Sequence, residues 1–292
     1  VPVTSAVGLR HAAEEAAGGL PPLLVEAERV AATIVQGVHG RRRVGQGDAF
    51  WQFRPYAEDD PASLIDWRQS ARGDGHYVRE NEWEAAESVW LWRDGSRSMD
   101  WASSRELPSK RRRAEVLALA LAILLVRAGE RVALLDAPAP PATGRAVLNR
   151  LERALATEVA ADAPSLPAPR RLPRFARVVL VGDLLDPPAA IDAAVAGFAG
   201  AGVRGCLVQV LDPAEHAFPW SGRVRFAGLE AEGELLVRRA ESLAADYRAK
   251  LAAQRAALRT IAQTRGWYFI EHATDGPASR ALLALFAALG RE

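Results

Sequence analysis

The stretch Glu87-Ser88-Val89-Trp90-Leu91-Trp92-Arg93-Asp94-Gly95-Ser96-Arg97-Ser98-Met99 decides the fold. Its first half reads as a strand, because Val89, Trp90, Leu91 and Trp92 are consecutive apolar residues of high β-propensity. Apolar residues on both faces suit a central strand of a parallel sheet covered by helices on each side. Its second half is a polar loop, and loops leaving the carboxyl ends of such strands are where open α/β sheets bind ligands. Asp94, Ser96 and Ser98 alternate along it and offer one carboxylate and two hydroxyls. That hard-oxygen set suits Mg²⁺ or a similar cation, while the alternative is a tight turn in which Asp94 accepts backbone amides.

Downstream the pattern becomes regular. Pro108 opens a helix over residues 111–127, Gly129 ends it, and residues 131–135 form a second strand. A proline-rich loop over 136–143 leads to a helix over 145–156. After the proline-punctuated segment 164–173, residues 176–181 form a third strand that ends at Gly182-Asp183. Pro187-Pro188 opens the next helix, 203–211 is a strand, and 223–226 an edge strand. A long helix over 242–265, a strand over 267–270 and a helix over 278–289 close the chain. Strands alternating with helices predict an α/β fold with a mainly parallel sheet.

Two more oxygen donors fall where this fold would use them. Asp183 leaves a second buried strand at its carboxyl end, and Thr143 lies in the loop between the second strand and the next helix. If the strands are parallel neighbours, the three loops rise on one edge of the sheet. Ser96, Ser98 and Thr143 then serve as direct ligands, with Asp94 and Asp183 acting directly or through water. Few direct carboxylates would leave the ion electrophilic enough to take a carboxylate from a partner.

Upstream, residues 1–38 read as a helical extension. His39-Gly40-Arg41-Arg42-Arg43 is the strongest basic cluster, followed by Gly45-Gln46-Gly47. Arginines beside flexible glycines can meet a phosphate, but the spacing is neither a P-loop nor a dinucleotide fingerprint. The alternative is a solvated turn whose arginines pair with nearby acids. Residues 50–84 mix aromatics with Arg54, Asp60, Asp66, Trp67, Arg68, Arg72, Arg79 and Glu80. No nucleophile–base pair stands out among them, so an ion-pair network with aromatic packing is set against a catalytic reading. A short helix is expected over 63–71 and a short strand over 76–78.

The totals narrow the classes. The 292 residues carry a net charge of +1, so binding to nucleic acid or an anionic membrane would need a local patch. One cysteine, Cys206, excludes an intrachain disulfide and a multi-cysteine zinc site. No basic stretch precedes an apolar signal core, and the most hydrophobic run, 116–126, falls short of the ~20 residues of a spanning helix. A soluble, cytoplasmic protein is expected.

The block Gly45-Gln46-Gly47-Asp48-Ala49-Phe50, Arg54-Pro55-Tyr56, Asp59-Asp60-Pro61, Ile65-Asp66-Trp67, Ser70-Ala71-Arg72 and Val78-Arg79-Glu80 resembles the bacterial family called domain of unknown function fifty-eight. The continuation to Asp94-Gly95-Ser96-Arg97-Ser98-Met99 looks like the start of that family's von Willebrand factor A-like domain. The resemblance implies residues 39–86 as a family block packing on a main domain over 87–292. It also implies a metal-ion-dependent adhesion site, with Asp94, Ser96 and Ser98 matching directly, Asp183 as the later aspartate and Thr143 as the threonine. Asp59-Asp60 stands where glycine-aspartate is usual. The family is often associated with MoxR-type AAA+ ATPases and has no established enzymatic activity.

Three functions are therefore set against each other. The favoured one is a non-enzymatic protein-binding module that uses Mg²⁺ (or Mn²⁺ or Ca²⁺), without an organic cofactor, to capture a partner's carboxylate. A MoxR-type ATPase is the expected partner. The second is a metal-dependent hydrolase using the same ion, which would need a general base and a richer carboxylate shell. The third is nucleic-acid binding through residues 39–43, with Trp51 as a stacking surface.

Overall fold

The computed structural model describes residues 43–45, 49–55, 66–71, 76–83, 88–157, 160, 163–229 and 233–290. The expected extension over 1–38, most of the basic cluster, Asp60 and Arg72 lie outside them. The described chain divides into two compact units, one before and one after residues 84–87.

The first unit holds β1 (Arg43–Gly45), β2 (Ala49–Pro55), α1 (Trp67–Ser70) and β3 (Tyr77–Trp83). β3 pairs antiparallel with both other strands, and a register shift between Phe50 and Gln52 marks an irregularity in β2. Arg54 lies opposite Val78, Arg79 opposite Phe53, and Glu80 opposite Gln52. Ser70 joins α1 to β3: its hydroxyl donates to Asp66 O at 2.8 Å and accepts from Tyr77 N at 2.9 Å. Arg68 is exposed, and Trp67 is 63% exposed with its ring edge-on to His76.

The second unit contains β4 (Ser88–Arg93), α2 (Lys110–Arg127), β5 (Arg131–Leu134), α3 (Arg145–Ala156), β6 (Arg177–Gly182), α4 (Pro188–Ala199) and β7 (Arg204–Leu211). It continues with α5 (Pro213–Ala217), β8 (Val224–Ala227), β9 (Glu234–Val237), α6 (Ala244–Arg265), β10 (Tyr268–Ala273) and α7 (Ala278–Leu289). Five strands form an all-parallel sheet in the order β10-β7-β6-β4-β5. Helices flank it, with α2 between α3 and α7 in one layer and α4 against α6 in the other. The protein is thus an α/β fold built on a mainly parallel sheet.

Alternation along β4 explains the double covering. Trp90 and Trp92 join Val178, Leu180, Leu207, Ile191, Val195, Phe198, Leu258 and Trp267 in the core on the α4/α6 side. Val89 and Leu91 are equally buried and, at period two, point to the opposite face. There α2 is buried continuously from Ala114 to Leu125, as the run from Val116, apolar on every face of the helix, must be. At Gly205 a Cβ would lie 2.1 Å from Val178 O and 3.0 Å from the Trp267 ring, so glycine is required between β6 and Trp267, which follows α6.

Most elements agree with the sequence reading to within a residue or two. The helix expected over 63–71 is described only at 67–70, and the short strand at 76–78 extends to Trp83. Four elements were not expected: β1 and β2, which flank β3 in the first unit, α5, a single turn, and β9, which pairs with β8 in a separate antiparallel hairpin.

Candidate metal centre

The chain runs from β4 outward to the edge strand β5, then returns across β4 to β6. The strand order therefore reverses between β4 and β6, and a crevice opens outside their carboxyl ends at such a reversal. Asp94 follows β4 and Asp183 follows β6, so the two aspartates flank that crevice.

Asp94 is fully buried. Its amide donates to Val181 O at 2.8 Å, continuing the β4–β6 ladder, and its Oδ1 accepts the Ser96 amide at 2.8 Å. The turn that the sequence reading offered as an alternative is thus present, but it uses one oxygen only. Oδ2 is buried without a hydrogen-bond partner among the described residues. Gly182 makes the approach possible: a Cβ there would sit 2.8 Å from Asp94 Cβ and 3.0 Å from Oδ2.

The Ser96 and Ser98 hydroxyls lie 3.0 Å apart, and Ser98 Oγ donates to Asp183 Oδ2 at 2.7 Å. Asp183 is held from behind, because buried Gln209 donates to its carbonyl at 2.9 Å. Leu184 turns the chain with φ 51°, and Gln254 of α6 donates to the Leu184 and Asp186 carbonyls at 2.8 Å. Asp94, Ser96, Ser98 and Asp183, drawn from loops about ninety residues apart, therefore form one cluster.

Thr143 does not join it. Ala142 folds back to bridge Val132, with N–O distances of 2.8 and 3.1 Å, and Val132 lies level with Val89. Asp94 is five residues beyond Val89, about 16 Å along the strand direction. Thr143 is exposed beside the body of the edge strand, so the expectation that three loops converge is corrected to two.

Two charged residues that sequence reasoning missed complete the cluster. Lys110, the first residue of α2, is 2% exposed; its Nζ donates to Asp183 Oδ2 at 2.9 Å and to Glu215 Oε1 at 2.7 Å. Glu215 is the N3 residue of α5, where its other oxygen accepts the Asp212 amide at 2.8 Å while Asp212 Oδ1 accepts the Ala214 amide. Asp212-Pro213-Ala214-Glu215 after a strand is a capping-box signature visible in the sequence. Nothing local in the sequence signals that Lys110 reaches across 73 and 105 positions to two acids.

The electrostatics follow from burial. Desolvation first, and the neighbouring Asp183 charge second, raise the Asp94 carboxyl to about 7. Burial also raises Glu215 despite the ammonium beside it. Burial alone would lower Lys110, but Asp183 and then Glu215 outweigh it and raise the lysine above its ordinary value. When all are ionised, three carboxylates face one ammonium and two negative charges remain in excess. An orphaned buried carboxylate oxygen, two hydroxyls and a second carboxylate are what a hard divalent cation takes. The residues fit such an ion, with Lys110 as the internal cation competing for Asp183. Among the described residues no three His, Cys, Asp or Glu side chains form a metal-binding group, so the donor set depends on the serines.

No helix of the described residues is long and apolar enough to cross a membrane. No functionally curated protein matches the chain. Two solved structures align with it. One is an aerotolerance-related membrane protein from Bacteroides fragilis with multiple mutations to serines, at 14% identity and a TM-score of 0.40. The other is the conserved hypothetical protein BatB from Bacteroides thetaiotaomicron, at 12% identity and a TM-score of 0.38. Each alignment covers 70% of this chain and 100% of the other. The family model described as "Protein of unknown function DUF58" matches residues 52–257, well over half of the chain, and the chain belongs to that family.

Proposed function

We propose that the second unit is a von Willebrand factor A-like, metal-dependent binding module that captures a carboxylate of a protein partner. The single observation that carries this reading is the buried Asp94 Oδ2. It has no hydrogen-bond partner among the described residues and belongs to the cluster in which Ser98 links Ser96 to Asp183. Asp94, Ser96, Ser98 and Asp183 would hold the ion. When bound, it would offer a Lewis-acid position for an oxygen from outside the chain.

The chain's own residues do the rest. Gly182 lets Asp94 sit against β6, Gln209 and Gln254 fix the Asp183 loop, and Lys110 holds the Asp183 carboxylate in an ion pair. Arg111 steadies the serine loop, donating to the Gly95 and Ser96 carbonyls at 3.2 and 3.0 Å. The family resemblance supplies the partner in this proposal, a MoxR-type AAA+ ATPase, with assembly or activation of a protein complex as the outcome. Binding rather than turnover is favoured because the cluster's remaining acid, Glu215, is committed to Lys110 and to a helix cap.

The test is calorimetry with Mg²⁺ and Mn²⁺, followed by pull-down of a purified MoxR-type AAA+ ATPase. Ion binding and chelator-sensitive capture, both lost in Asp94→Ala, are expected. Capture that is unchanged by chelator and by that variant overturns the reading. So does phosphoester turnover that requires the ion and Asp94.

A further inference from the structure

Ser98, Lys110 and Glu215 also form the polar end of a cavity of about 900 Å³. The rest of its wall is largely apolar. Phe218 lies 5.0 Å from Trp220 and 4.9 Å from Tyr247, and Trp220 lies 5.6 Å from Phe226 and 6.2 Å from Trp101, centroid to centroid. Phe218 is buried, whereas Trp101, Trp220, Phe226 and Tyr247 keep part of their surface open. Leu185, Leu229 and Leu235 also line the cavity and are 46%, 42% and 59% exposed. Ring contacts with Phe226 of β8 and Tyr247 of α6 account for Phe218. They leave unexplained a wide aromatic wall rimmed by exposed leucines, which marks an interaction surface.

From this geometry we infer that the cavity is a side-chain specificity pocket for an extended segment of a partner protein, in which a large apolar residue stands two positions from the captured acid. The inference rests on the proposed carboxylate capture and adds what the partner must carry beside the carboxylate. Ser98 belongs both to the oxygen cluster and to the cavity wall, so the two are contiguous. In an extended chain, side chains two positions apart share a face and are displaced by roughly 7 Å, which matches contiguous sites.

A peptide is favoured over a free apolar acid by the wall itself. Four consecutive residues, Val224 to Ala227, line the cavity, and successive side chains of a strand point to opposite faces. β8 therefore meets the cavity along an edge. Its sheet has two strands, so that edge has no strand partner among the described residues and can pair with a partner's backbone. The exposed rim carries Arg225 and Lys250 against one acid, Asp246, so its balance is positive and complements an acidic segment.

The test presents the full chain, in Mg²⁺, with a hexapeptide pool that has one fixed aspartate and all other positions varied. A parallel pool carries asparagine instead. Leucine, phenylalanine or tryptophan two positions from the aspartate should be enriched about tenfold over glycine and serine, the ratio expected for burying such a side chain. The enrichment should vanish in Leu235→Asp, a substitution at an exposed position whose circular dichroism and melting should match the wild type, and should weaken in Trp220→Ala. A retained requirement for aspartate with no apolar preference overturns this inference alone. Apolar enrichment that is equal in both pools overturns the carboxylate capture and leaves the pocket. Absence of any enriched peptide overturns both. A wild-type dimer in sedimentation that Leu235→Asp makes monomeric also overturns the inference, because a second copy would then fill the cavity.

Discussion

The loop leaving β4 and the loop leaving β5 begin almost level in the sheet, yet they meet different fates. The first runs between two strands: Asp94 N is taken by Val181 O of β6, while Leu91 O accepts Leu135 N from the β5 side. With both flanks occupied, the polar residues that follow stay at the carboxyl edge and turn inward. The second loop leaves an edge strand. The outer N–H and C=O of Val132 need partners, and Ala142 supplies both by folding back. The same strand–loop–helix grammar thus yields a cluster in one place and a bracing turn in the other. Occupancy of the flanking strands decides which.

The largest test of this contrast is Lys110→Met, which leaves Asp183 and Glu215 as two buried carboxylates without their cation. Urea unfolding should show a loss of about 3–5 kcal/mol. If the crevice after β4 and β6 takes a divalent ion, Mg²⁺ should recover part of that loss. The Thr143 loop offers no such rescue.

Next comes pH. The Asp94 carboxyl, raised to about 7 in the folded protein, keeps a proton that the unfolded chain releases near its ordinary value. Its stabilising contribution is therefore complete below about pH 4 and is lost as pH rises through 7, with an upper bound of roughly 4 kcal/mol. Unfolding midpoints at pH 4.5, 6 and 7.5 should fall in that order for this group, and Asp94→Asn should flatten the trend. A divalent ion competes with the same proton, so the Mg²⁺-induced rise in Tm should be larger at pH 8 than at pH 6.

Gly182→Ala sharpens the point about close approach. The added methyl meets Asp94 Cβ, so a loss of about 1–3 kcal/mol is expected together with weaker ion binding by calorimetry. An unchanged affinity would mean that the Asp94 position is not what the ion reads. The smallest effect belongs to Thr143→Ala. Stability should stay within about 0.5 kcal/mol and ion affinity should not move, because the side chain is exposed and far from the cluster. A tenfold loss of affinity would restore the third loop to the site and remove the contrast.

The fold was largely legible because its elements carry strong local signals. β4 and β6 are unbroken apolar runs, α2 is an apolar helix opened by Pro108 and Ser109, and Pro187-Pro188 with Gly202 bounds α4. α5 escaped because a one-turn helix has no periodicity, although Asp212 and Glu215 announce its cap. β9 escaped because Leu235 and Leu236 are exposed and lack the alternation of a half-buried strand. The clustering of Asp94, Ser96, Ser98 and Asp183 was legible from their place after buried strands. Lys110 was not, because its partners come from distant loops.

By itself the sequence determined which segments are strands and helices and which polar residues terminate buried strands, since those properties depend on neighbours within one or two turns. Only the tertiary structure decided that β6 returns beside β4, which brings Asp183 to Asp94, places Lys110 between two acids and opens the aromatic cavity next to them. Strand order and loop direction are settled by which backbone edges and buried charges find partners across the whole chain, and no local pattern encodes that choice.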